Sequence, residues 1–144
     1  MSTISEQVLS GYISASVSGR PVEIDTDYSS STDTTTLHTI TAASAASMDS
    51  VFLKVWNNDT ARHVLTLVLN PAGNGSTAVV DAASLKFSLA PQAWTWLLEG
   101  ERFRSIGGNP YTIAAYSTTA AAVTNKYLRV LGWFNRLTQA VVTP

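Results

Sequence analysis

The pattern of apolar and polar positions changes once along the chain. Through residues 1–35, isolated apolar side chains such as Val8, Leu9, Tyr12, Ile13 and Val17 stand among Ser, Thr, Gly and Asp, and the tract from Ser29 to Thr36 is polar throughout. Such a stretch buries too little to offset the entropy of ordering it. It predicts an extended or weakly structured N-terminal arm over 1–35, with one strand at most, near 7–17, and little contribution to the core. Residues 36–144 read differently. Short β-like runs at 37–40, 51–56, 63–69, 78–81, 85–89, 94–98, 103–106, 111–117 and 127–134 are separated by turn chemistry, notably Asn57-Asn58-Asp59, Asn74-Gly75 and Gly107-Gly108-Asn109-Pro110. That rhythm predicts an all-β sandwich of eight or nine strands, and no run holds a helical period.

Side-chain parity within these runs carries the next step. In the run 51–56, Val51, Leu53 and Val55 share one face, and Phe52, Lys54 and Trp56 share the other. The run 127–134 repeats this, with Leu128, Val130, Gly132 and Phe134 opposed to Tyr127, Arg129, Leu131 and Trp133. In a two-layer sandwich only one face of each sheet is internal, so aromatics on the second face await a partner. Phe52, Lys54, Trp56, Tyr127, Arg129 and Trp133 are therefore the candidate partner interface, a mixture of aromatics and cations typical of interface centres. The alternative is a register slipped by one residue, which would turn Trp133 into the core.

Composition sharpens the picture. The length of 144 residues suits one domain able to bury a core without covalent staples. Charged residues make up 13%, about half the usual share, which fits a surface covered by other protein copies. With no cysteine, disulfides, thiol catalysis and cysteine-built zinc sites are excluded. A net charge of −1 offers no field for a phosphate backbone or an anionic bilayer, so neither nucleic acid nor membrane is an expected partner. The first residues lack the basic flank and apolar stretch of a secretory signal, and no apolar run approaches the roughly 20 residues of a membrane span. Synthesis in a cytoplasm is expected.

The search for chemistry yields little. His38 and His63 have no third ligand at a metal-binding spacing. Asp25, Asp27 and Asp33 resemble the start of a calcium loop, but Ser30 and Thr36 stand where its Gly and Glu belong. No Gly-x-Ser-x-Gly elbow, phosphate loop or dinucleotide fingerprint occurs. Glu99 and Glu101 read as part of a charged hairpin turn, Glu99-Gly100-Glu101-Arg102, rather than as a glycosidase pair. Trp94 and Trp96 project from one strand face and suit either packing or stacking on sugars. The expectation is a protein that is not an enzyme and holds no metal or cofactor.

Four segments carry a resemblance: Leu89-Ala90-Pro91-Gln92, Leu97-Leu98-Glu99-Gly100-Glu101-Arg102, Tyr111-Thr112-Ile113-Ala114-Ala115-Tyr116 and Leu131-Gly132-Trp133-Phe134-Asn135-Arg136-Leu137. Together with Val55-Trp56-Asn57-Asn58-Asp59-Thr60, they make residues 35–138 resemble small all-β virion proteins of tailed bacteriophages, of the capsid decoration or cement type. The resemblance implies a jelly-roll-like sandwich that binds the major capsid protein, associates with itself, as a trimer, and resides in the virion. A head-to-tail neck or tail component is the alternative within the virion, and a carbohydrate-binding module for host adhesion is the alternative of another class.

Overall fold

Alternation of apolar with polar or outward aromatic residues, broken by bulges in β7, builds long strands, and two sheets of them enclose the core. The computed structural model describes residues 3–8, 21–24, 34–40, 47–69, 83–104, 111–117 and 125–138. Among these are nine strands and no helix: β1 (Thr3–Val8), β2 (Val22–Glu23), β3 (Thr35–Ile40), β4 (Ser47–Asn57), β5 (His63–Leu69), β6 (Ala83–Leu89), β7 (Ala93–Phe103), β8 (Tyr111–Ser117) and β9 (Leu128–Thr138).

One sheet runs β1-β9-β4-β7, with β2 also on β9, and the other runs β3-β8-β5-β6. All the pairings are antiparallel. β1 and β2 lie on successive stretches of β9, Thr3 opposite Thr138 through Val8 opposite Trp133, then Val22 opposite Val130, so they act as one interrupted edge strand. Counted that way, the pairings nest from the outside in: β1/β2 with β9, β3 with β8, β4 with β7, β5 with β6. A long hairpin folded over itself gives this order, and β4–β9 and β5–β8 close the two sheets. It is the double Greek key of a jelly roll, and the fold class expected from the sequence is the one found.

The core lies between the sheets. Val51, Leu53 and Val55 of β4, with Leu128, Val130 and Phe134 of β9, meet Leu65 and Leu67 of β5, Leu89 of β6 and Ile113 of β8, all buried. Each enclosed aliphatic side chain of this size contributes about 1.5–3 kcal/mol through removal from water.

Two local features differ from the sequence reading. Glu99-Gly100-Glu101-Arg102 is not a turn. It lies inside β7, where the pairing steps from Val51 opposite Glu101 to Phe52 opposite Glu99 and leaves Gly100 as the extra residue of a β-bulge at φ 96°. The runs at 94–98 and 103–106 are accordingly joined, through residue 103, in one strand. Within the segment 1–35, two short stretches meet the sandwich: β1 and β2 pair with β9, and Ile24, which follows β2, is fully enclosed in the core, its backbone N–H bonded to the Leu128 carbonyl at 3.0 Å. Residues 9–20 and 25–33, which hold most of that segment, lie outside the described residues, as does the expected run at 78–81.

Candidate functional site

The register of β4 against its two neighbours arranges the outward side chains in rows across the sheet. Trp56 stands opposite Arg129 on one side and Trp94 on the other, Lys54 stands between Leu131 and Trp96, and Phe52 stands between Trp133 and Glu99. Phe52 and Trp133 stack at 5.0 Å between ring centroids and 11° between planes, and Trp96 meets Trp133 edge-on at 6.3 Å. Trp56 and Trp94 are tilted against each other at 5.2 Å. The Lys54 ammonium lies 4.6 Å from the centroid of Trp94 and 5.7 Å from that of Trp96, within reach of the attraction between a cation and an indole face. Trp94 and Trp96 remain 47% and 43% exposed.

Gly100 makes room for this arrangement. A Cβ there would sit 3.0 Å from Cζ of Phe52, and the Gly100 carbonyl accepts a hydrogen bond of 2.7 Å from the Ser50 hydroxyl. The free edge of β7 is closed locally, because the Glu101 carboxylate accepts the Glu99 backbone N–H at 2.6 Å. Charged side chains on an edge strand oppose pairing with another chain.

Four of the six residues singled out from parity, Phe52, Lys54, Trp56 and Trp133, thus meet on the outer face of this sheet. Arg129 joins their rim and faces Glu23, whose Oε1 lies 3.9 Å from its Nε. Tyr127 stands apart from them. It precedes β9, and its ring lies 6.2 Å from the inward-facing His63 at one end of the sandwich. Sequence reasoning separated Trp94 and Trp96 from this group. Only the adjacency of β7 and β4 unites them, and no local pattern announces which strands are neighbours.

Two buried polar clusters were also out of view. His38 of β3 sets Nε2 2.9 Å from Oδ2 of Asp49 on β4, and Arg136 of β9 donates to both oxygens of that carboxylate, at 2.8 Å from Nε and 2.9 Å from Nη2. Phe134 packs between them, 4.1 Å from the His38 ring and 5.1 Å from the guanidinium. This cluster ties the two sheets together. Burial alone raises the Asp49 carboxyl, but hydrogen bonds from Arg136 and His38, with the charge of Arg136, more than offset that and hold it below the ordinary carboxylate value. A bulge between Thr36 and His38 allows Leu37 and His38, consecutive residues, both to be buried.

The second cluster fastens the turn after β4. The side-chain amide of Asn57 donates to the carbonyls of Ala61 and Ala90 at 2.9 and 3.1 Å, its oxygen accepts the Asp59 N–H, and His63 Nε2 lies 2.7 Å from Asp59 Oδ2. The hydrogen bond to His63 is the main cause of a lowered Asp59 carboxyl.

His63 Nδ1 is enclosed with no hydrogen-bond partner among the described residues. His38 is closed off from solvent beneath Phe134. Among the described residues no group of three or more His, Asp or Glu is placed to hold a metal ion; Asp25, Asp27 and Asp33 lie outside them.

Comparison of the chain with protein-family models, curated proteins and solved structures returns no match.

Proposed function

We propose that this protein is a structural component of a tailed-bacteriophage virion, a decoration or cement protein that stabilises the capsid by binding and bridging its subunits rather than by catalysis. The observation that carries the reading is the outer face of the β9-β4-β7 sheet, where Phe52, Trp56, Trp94, Trp96 and Trp133 cluster on the side of the sheet away from the core. A protein whose aromatic side chains are divided between a core and a second, outer cluster has a surface built for contact. The jelly-roll topology adds support by analogy, because viral shell proteins use it repeatedly. Binding only the assembled shell raises its stability by mass action.

In the virion, the chain contacts the major capsid protein and other copies of itself, and it is made in the host cytoplasm. Mass spectrometry of purified particles tests this: the chain is expected in stoichiometric amount, and capsids stripped of it should rupture at lower temperature. Absence from the particles sinks the reading. The contact face is tested separately by Trp133→Glu, which places a charge beside Phe52. Sedimentation velocity with circular dichroism should show a folded protein that has lost self-association, whereas an unfolded chain would make Trp133 a residue of the fold rather than of a contact.

The second reading, a carbohydrate-binding module, is favoured by one observation, the two half-exposed indoles of Trp94 and Trp96 on a single strand face.

A further inference from the structure

The outer face described above has charges as well as aromatics. Parity places Glu6 of β1, Lys54 of β4, and Glu99 and Arg102 of β7 on it, opposite Asn135, Leu131, Phe52 and Ser50 respectively. None of the four makes a salt bridge among the described residues, whereas at the rim Glu23 is shared between Lys126 and Arg129. Inside that rim, two cations and two anions without an ion pair among the described residues sum to zero, Lys54 having only the indole faces of Trp94 and Trp96. A cationic or anionic polymer would satisfy one pair and leave the other buried without a partner, which is costly. A second surface carrying the same four charges can satisfy both, if it is turned so that opposite signs meet.

Edge-to-edge extension of the sheet is opposed at β7, where Glu101 occupies the Glu99 N–H, and it would leave the outer aromatics uncovered. Face-to-face packing remains. Three strands of 11 residues with the six of β1 make a flat footprint of roughly 600 Å², which approaches the roughly 800 Å² per partner of a stable dimer.

We propose that a second copy of this chain covers this face, related by a two-fold axis that sets Lys54 of each copy against Glu99 of the other around a centre formed by Phe52 and Trp96. The proposal rests on the reading of this face as a contact surface, and it replaces the trimer expected from the resemblance with an isologous dimer.

The test is sedimentation velocity on the full chain at roughly 100 μM, above the dissociation constant of a micromolar dimer, with circular dichroism confirming that each variant is folded. The unaltered chain is expected to be a dimer. Lys54→Glu and Glu99→Lys should each raise its dissociation constant more than about tenfold by setting like charges together, and the double variant should regain the dimer with the charges transposed. A trimer overturns the two-fold arrangement. A monomer overturns the proposal outright, and a monomer whose indole emission shifts on adding a soluble glucan does so in favour of a carbohydrate site. A dimer broken by Trp133→Glu but untouched by either reversal overturns the Lys54–Glu99 pairing while leaving the face as a contact surface.

Discussion

Asp49 shows how much one residue can hold together. Its carboxylate is inaccessible to solvent and receives three hydrogen bonds from two other strands. Asp49→Asn removes the charge that Arg136 and His38 face, and should cost about 3 kcal/mol, the low end for a broken buried pair, because Arg136 keeps 23% of its side chain in solvent. Urea unfolding measures it. The pH dependence follows from the same contacts. The folded carboxyl ionises at lower pH than the unfolded one, whose ordinary value is 3.8, so its stabilisation is complete above that value and is lost as the pH falls through the depressed one. Asp59 acts in the same direction. Acid titration of the urea midpoint should therefore be shallower in Asp49→Asn than in the unaltered chain. None of this was legible in the sequence: His38 and Arg136 lie 11 and 87 positions from Asp49, and nothing local marks the three as partners.

At the scale of elements, two glycines decide how closely β4 meets its neighbours. A Cβ on Gly132 would sit 1.9 Å from the Phe52 carbonyl oxygen, a clash with backbone that no rotamer relieves. Gly132→Ala should cost about 3 kcal/mol or more through forced strand separation. Gly100→Val combines an unfavourable backbone conformation at φ 96° with contact on the Phe52 ring, and a loss of about 1–3 kcal/mol is expected. Thermal melts monitored by circular dichroism read both. These positions also show where sequence reasoning succeeds. The alternation in β4 and β9 was legible because both strands keep strict parity through their central residues, which separated the inner from the outer side chains except at Tyr127, just before β9. The bulge in β7 was not, because glycine at positive φ with charged neighbours serves a bulge and a hairpin turn equally well, and only the partner strand distinguishes them.

For the molecule as a whole, the sandwich class was visible in the rhythm of short runs and turns, while the pairing of β1 and β2 with β9 was not, since strand partners this distant leave no periodic trace. The segment they belong to is mostly polar, yet Ile24 is wholly enclosed against the main core. Ile24→Ala should lower stability by about 2–5 kcal/mol, measured by denaturant unfolding, whereas a loss below about half a kilocalorie would show that the cavity closes freely or the residue is peripheral.

The nested pairing has a consequence in time. Thr3 can find Thr138 only after almost every other strand has been synthesised, and β3 must likewise wait for β8. Among the described residues, the strand pair closest in sequence is the innermost, β5 with β6. Contacts so remote in sequence make folding slow, on the order of milliseconds to seconds. On the ribosome the earliest strands therefore emerge with their hydrogen-bonding edges open and no mate yet made. The polar character of residues 1–35 suits that interval, keeping the waiting chain soluble until β9 arrives to receive it.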